Sequence, residues 1–233
     1  MSVIICDKKY ELDDLEVRVD KILSVLFAIK EQKDHTLAFR SGCRSGVCGS
    51  CAVLVNGVER LSCKTSIKDG DIIEPLRHSK VIKDLVVDIE HQERFLTKAK
   101  AFLEKNSNST ITSQDEKAID TQTNCILCNS CYSVCPVYDV NSEFLAPFAL
   151  TRVFRYINDK KEELKQNKIE AIQTFGIWDC TLCGSCNMVC PAHIDIKGDI
   201  MRLRNLSAQF GYNDPNLTNF MDNQNFGFDP NSF

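Results

Sequence analysis

Twelve of the chain's 13 cysteines fall into dense runs, and no other feature constrains the fold as tightly. Cys43, Cys48 and Cys51 stand in C-x4-C-x2-C spacing with Cys63 following, and Cys125-x2-Cys128-x2-Cys131-x3-Cys135-Pro136 recurs as Cys180-x2-Cys183-x2-Cys186-x3-Cys190-Pro191. Thiols gathered so closely are either crosslinked or metal-bound. The start, Met1-Ser2-Val3-Ile4-Ile5-Cys6-Asp7, lacks the basic and long apolar regions of a secretory signal. The expectation is therefore metal or redox chemistry rather than an exported disulfide framework. The longest largely apolar stretch, Ile22 to Ile29, falls well short of the roughly 18 residues that mark a membrane span. Lys plus Arg is 28 against 32 for Asp plus Glu, a net charge of −4 that argues against an unspecific nucleic-acid partner.

The 233 residues suffice for two small domains, and their patterning divides them near residue 95. In 1–95 the pattern predicts a mostly β sheet with one packed helix. Val3-Ile4-Ile5, Glu16-Val17-Arg18-Val19, Ile72-Ile73 and Leu85-Val86-Val87 read as strands. Ile22, Val25, Leu26 and Ile29 recur at i, i+3, i+4 and i+7, which predicts a helix capped by Asp20. Ala52 to Leu61 alternates about Asn56-Gly57, a hairpin whose turn needs φ > 0 at both central residues. The rest, 96–233, reads as α-helical. Phe95 to Lys105 predicts a helix and Asn106 to Thr110 a loop. Leu164, Ala171, Ile172 and Phe175 keep helical spacing in a charged stretch read as a solvated face. Asn205 to Phe233, rich in Asn and Phe without Lys or Arg, reads as a tail, either disordered or laid over a partner.

Each cysteine run matches a known ligand pattern. Cys43, Cys48, Cys51 and Cys63 follow the plant-type ferredoxin spacing for a [2Fe–2S] cluster, in which two irons take four thiolates. Gly42, Gly46 and Gly49 let that loop wrap closely, and the hairpin returns the chain so that Cys63 closes the set. Zinc also suits four cysteines, but it favours two separated C-x2-C knuckles. The doubled C-x2-C-x2-C-x3-C-P run is that of two-cluster bacterial ferredoxins, where the fourth cysteine of each run serves the other cluster. Crossed ligation assigns Cys125, Cys128, Cys131 and Cys190 to one cubane and Cys135, Cys180, Cys183 and Cys186 to the second. Cys6, left over, reads as a small buried strand residue. His35, His78, His91 and His193 form no metal motif, and no Walker loop, G-x-G-x-x-G or hydrolase nucleophile motif occurs.

A plant-type half followed by a two-cluster half resembles the iron–sulfur subunit of the succinate dehydrogenase and fumarate reductase family. The resemblance spans roughly residues 1 to 204. It rests on Ser41-Gly42-Cys43-Arg44-Ser45-Gly46-Val47-Cys48-Gly49-Ser50-Cys51, Lys83-Asp84-Leu85-Val86-Val87-Asp88 and Gly176-Ile177-Trp178-Asp179-Cys180. It implies an α+β chain with a β-grasp domain over 1–95 and an α-helical ferredoxin domain over 96–233. It also implies a flavoprotein partner carrying FAD, a membrane partner and quinone. No catalytic residue falls to this subunit, which passes single electrons between flavin and quinone. In the common family pattern the residue matching Cys183 is aliphatic and the third cluster is [3Fe–4S]. A cysteine there implies a second [4Fe–4S], as in methylmenaquinol:fumarate reductases and in relatives whose membrane-side partner is cysteine-rich. A [3Fe–4S] results if Cys183 does not ligate. By the same resemblance Arg204, Trp178 and His193 are quinone-side candidates, while Thr181 and Val140 replace groups used by some succinate dehydrogenases. The tail beyond Arg204 is longer than the family's common ending. The complex would sit peripherally on the bacterial inner membrane, at the cytoplasmic face, with the periplasmic face open through co-export. A thiol- or disulfide-using flavoenzyme subunit and a free ferredoxin-like carrier are the competing readings.

Overall fold

The computed structural model describes residues 1–15 and 20–215. The N-terminal half runs β1 (Ser2–Ile5), β2 (Lys8–Glu11), α1 (Ile22–Gln32), β3 (Ala52–Val55), β4 (Val58–Leu61), β5 (Asp71–Glu74), β6 (Val81–Lys83) and β7 (Val86–Val87). There follow α2 (His91–Lys98), α3 (Ser113–Lys117), α4 (Asp120–Thr123), α5 (Ser130–Ser133), α6 (Pro147–Asn158), α7 (Lys165–Ala171), α8 (Ser185–Val189) and α9 (Ile196–Gln209). The expected strand at Glu16 to Val19 lies outside the described residues.

Five strands form one sheet in the order β2-β1-β5-β3-β4, with β1 and β5 parallel and the other pairs antiparallel. The Asn56-Gly57 turn has φ of 51° and 76°, so the β3–β4 hairpin forms as its dipeptide predicts. A second two-residue turn went unnoticed. Cys6 and Asp7, at φ 47° and 67°, join β1 to β2, so Cys6 is a half-buried turn residue and not a strand residue. Burial still pushes its thiol up to about 11.

Helix α1 buries Ile22, Val25, Leu26 and Ile29 against Val3, Ile5, Val53 and Ile73. Asp20 does not cap it. Lys21 occupies the N-cap position, and the first free N–H groups find carbonyls elsewhere: Ile22 donates to Thr65 O at 3.0 Å and Leu23 to Ser62 O at 3.0 Å. The helix start is thereby tied to the segment carrying Cys63.

In the second half Phe144, Phe148, Leu150, Ile172, Ile200 and Leu203 are core residues exposed by 1% or less. Each such burial contributes roughly 1.5–3 kcal/mol. Phe95 belongs to this core too. The helix that carries it ends at Lys98 rather than Lys105, where Lys100 turns left-handed at φ 51° and Lys168 gathers the chain beyond it. Its ammonium takes the carbonyls of Lys100 (2.9 Å) and Phe102, and pairs with Glu162 at 3.0 Å and Glu104 at 3.2 Å. Lys168 is fully buried, so the charged stretch around α7 is not simply a solvated face. Carbonyls turned toward Lys168 cannot continue a helical ladder. Phe175, at φ 54°, likewise lies beyond α7. The segment expected as a tail instead begins in α9, which reaches Gln209; residues 216–233 lie outside the description.

The halves meet through specific polar contacts. Ser133 of α5 donates to the buried Glu59 of β4 at 2.8 Å and accepts from Arg77 N at 2.9 Å. Gln92 Nε2 donates to Leu127 O at 2.6 Å, and Tyr132 Oη to His78 O at 3.1 Å. His91 stacks on Tyr132 with centroids 4.1 Å apart.

Candidate metal centres

The first cysteine loop lies between α1 and β3, and its backbone N–H groups aim at sulfur. Ser45 N and Val47 N donate to Cys43 Sγ at 3.4 and 3.3 Å, and Cys43 N donates to Cys48 Sγ at 3.4 Å. The Ser45 hydroxyl and these N–H groups bring the Cys43 thiol down to about 6. Such donors favour thiolate, the form that binds metal. Cys51 and Cys63 are buried, and burial beside Cys51 pushes Cys63 up to about 11. Thus one edge of the set faces solvent and the other faces the core.

Gly49, at φ 72°, is where the first loop touches the second. A Cβ there would stand 2.6 Å from Ile126 O and 2.9 Å from the Cα of Cys128. Neither backbone can yield without moving a cysteine. Gly49→Ala is expected to destabilise the chain by roughly 1–3 kcal/mol and to impair iron retention. Thermal unfolding and iron analysis of the purified variant check this, and wild-type values for both would overturn it.

The two C-x2-C-x2-C runs share one backbone shape. Leu127 and Leu182 have φ of 51° and 55°, and Asn129 and Gly184 have φ of 64° and 82°. Asn129 and Gly184 are the left-handed residues preceding α5 and α8. The side-chain partners match as well. Cys128 Sγ lies 3.3 Å from Ser130 Oγ, and Cys183 Sγ lies 3.4 Å from Ser185 Oγ. Further N–H donors approach Cys180 Sγ from Leu182 at 3.4 Å and Cys190 Sγ from Ile194 at 3.5 Å.

Cys125, Cys128, Cys131 and Cys190 line one small cavity together with Phe148, Ile194 and Ile196. Cys135, Cys180, Cys183 and Cys186 line another with Val137, Pro147 and Lys197. A tetrahedral zinc ion would need its sulfurs about 2.3 Å from one centre. Among the described residues no three His, Cys, Asp or Glu side chains converge in that way. Cysteines ringing a cavity suit a polynuclear iron–sulfur centre. Burial raises Cys131 well above its ordinary value, and pushes Cys186 up to about 12 and Cys135 to about 11. At Cys183 burial works the same way, but the Ser185 hydroxyl and N–H outweigh it and the thiol is lowered.

The serine two residues after a cysteine is a feature sequence reading passed over. Of the serines so placed, Ser45 bonds the preceding cysteine's sulfur through its backbone N–H, and Ser130 and Ser185 do so through their hydroxyls. The quinone-side candidates are spread over two places. Arg204 donates to Ile177 O at 2.9 and 2.7 Å and to Cys180 O at 2.7 Å, clamping the loop that carries Cys180. Its guanidinium also lies 5.4 Å from the Trp178 ring, whose Nε1 donates to Gln173 Oε1 at 2.8 Å. His193 stands apart, in a cleft with Gly46, Lys64 and Met188. Val140 is 88% exposed, and Thr181 lines the cavity of the last four cysteines.

The comparisons agree with this layout. Residues 6–94 match a family described as a 2Fe-2S iron-sulfur cluster binding domain, and 121–194 match a 4Fe-4S dicluster domain. The fumarate reductase iron-sulfur subunit of Escherichia coli O6:H1 is 35% identical over 193 residues, covering 77% of this chain and 79% of that one. This chain belongs to the iron–sulfur subunits of the fumarate reductase and succinate dehydrogenase family. The 8-methylmenaquinol:fumarate reductase iron-sulfur subunit of Wolinella succinogenes is 34% identical over 220 residues, covering 88% of this chain and 69% of its own length. Among solved structures, a chain of the Mycobacterium smegmatis Sdh1 complex in the apo form shares the fold, with a TM-score of 0.76 and 24% identity over 88% of this chain and 91% of that one. As a member of this family the chain is an electron-transfer iron–sulfur subunit of an oxidoreductase complex. No helix among its described residues is long and apolar enough to cross a membrane.

Proposed function

We propose that this subunit carries single electrons between the FAD of a partner flavoprotein and a quinone at the membrane. Cys43, Cys48, Cys51 and Cys63 would hold a [2Fe–2S] cluster. Cys125, Cys128, Cys131 and Cys190 would hold a [4Fe–4S], and Cys135, Cys180, Cys183 and Cys186 a second. The observation that carries this reading is the pair of cavities, each ringed by three cysteines of one run and the fourth of the other. The clusters supply one-electron carriers when bound.

The chain's own residues do the rest. Ser45, Ser130 and Ser185 and the loop N–H groups hold the thiolates by hydrogen bonds. Phe148, Ile194 and Ile196 keep water from the middle cavity. Gly49 allows the first loop to lie against the second run, which shortens the path between sites. A β-grasp assignment for the first domain is supported by the parallel β1–β5 pair within a mixed sheet beside α1. A helical ferredoxin assignment for the second is supported by the paired runs that lead into α5 and α8. The proposed division falls close to residue 95. The flavoprotein and a membrane-associated partner, either an anchor or a cysteine-rich subunit, complete the complex on the membrane surface, with the cytoplasmic face as the proposed side.

Affinity purification of the chain from its own cells, followed by assay with succinate, fumarate, quinols and thiols, tests the proposal. A co-purifying flavoprotein and quinol-linked fumarate or succinate turnover are expected. Turnover with thiols alone, or a chain that purifies without a flavoprotein, would overturn it.

A further inference from the structure

Arg152 is a cation that neither the ligand pattern nor the core explains. It sits on α6, one helical turn after Phe148 and therefore on the same face. Phe148 lines the cavity of Cys125, Cys128, Cys131 and Cys190. The Nε of Arg152 is buried without a hydrogen-bond partner. Burial raises the Cys125 thiol, and the positive charge of Arg152 acts against that rise. Leaving a buried donor unpaired is costly, and more so when the group is charged. A centre of negative charge in that cavity is what such a donor would need.

We infer that Arg152 is the residue that tunes the middle centre, its guanidinium raising the reduction potential of the site formed by Cys125, Cys128, Cys131 and Cys190. The physical basis is charge. One-electron reduction adds a negative charge to that site, and a half-buried cation near it stabilises the reduced form more than the oxidised one. Net charge and hydrogen bonds to the sulfurs are the quantities that set such potentials. The Nε side of the guanidinium is shielded from solvent, so screening by water is weaker there than for an exposed cation. The last site has its own cations, Lys197 along its cavity and Arg204 at the Cys180 carbonyl. Arg152 therefore acts on one site and not on all.

The inference rests on the reading that these four cysteines hold a cubane, and the experiment separates the two. Wild type, Arg152→Gln and Arg152→Lys are purified as the assembled complex, assayed for iron, and titrated with dithionite while electron paramagnetic resonance follows each centre. Arg152→Gln is expected to lower the middle centre's potential by at least a tenfold change in its reduction equilibrium, about 59 mV for one electron. Arg152→Lys should retain most of the wild-type value, and the other centres should not move. If Arg152→Gln fails to take up iron while Arg152→Lys loads fully and keeps its potential, the requirement for charge still stands. An unchanged potential in fully loaded Arg152→Gln overturns the inference. So does an equal shift of every centre, or failure of both variants to load. A wild-type complex with no signal for the middle centre would overturn the cubane reading and this inference together.

Discussion

Cys48→Ala is expected to reduce flavin-to-quinone turnover of the assembled complex to background while leaving dicarboxylate binding by the flavoprotein intact. Cys48 is one of four thiols in a loop whose N–H groups already point at sulfur, and Cys43 N donates to Cys48 Sγ at 3.4 Å. Alanine can neither ligate nor accept that bond. Burial and Cys51 hold the Cys63 thiol up at about 11, so three remaining cysteines, one of them reluctant to ionise, hold two irons poorly. Iron should fall from about ten per chain to about eight, by the loss of one [2Fe–2S]. The other two sites lie beyond the Gly49 contact and have their own ligands, so they should load normally. Iron analysis, substrate-binding calorimetry and quinol-linked assay of the same preparation make the check. Undiminished quinone-linked turnover in a complex shown to lack that centre would remove the first loop from the proposed route.

The parts of this molecule that were legible in its sequence are those set by local chemistry. Asn56-Gly57 dictates a turn that few other dipeptides tolerate, and α1 follows from one apolar stripe. The cysteine spacing gave the three candidate sites because cluster loops are short and their ligands adjacent. What stayed hidden depends on partners far along the chain. Nothing near Lys100 announces that it turns left-handed or that Lys168 will claim its carbonyl. Nor could Asp20 be known to lose its capping role, since the carbonyls of Thr65 and Ser62 supply the acceptors from the segment after β4. The left-handed residues Leu127 and Leu182 carry no glycine signal, yet they shape both C-x2-C-x2-C loops. Arg204 was a quinone-side candidate through the family resemblance alone. The structure shows its guanidinium engaged with the carbonyls of Ile177 and Cys180. A local pattern reveals which atoms can do chemistry, whereas the contacts that hold them in place are made by the fold.

Cys183→Val is expected to remove one iron and create a signal that the wild type lacks. The two runs are equivalent in backbone and in side-chain partners. Cys128 and Cys183 occupy the same place between a left-handed leucine and a left-handed residue that starts a short helix. Both have a serine hydroxyl two residues on, at 3.3 and 3.4 Å from sulfur. Cys183 lines its cavity alongside Cys135, Cys180 and Cys186. A free, outward-turned thiol would not belong to that ring, even though the residue as a whole is exposed. With four ligands in each of two sites the wild type should hold about ten irons, against about nine where one corner is missing. Valine fills the position without ligating, so the last centre becomes [3Fe–4S], paramagnetic when oxidised. In the wild type that state should be silent, with two interacting [4Fe–4S] signals appearing on reduction. The exposure of Cys183 also makes its corner the one most open to oxidants, so air-protected protein is needed for the comparison. A stoichiometric [3Fe–4S] signal from wild type that survives anaerobic reconstitution with iron and sulfide would sink the assignment.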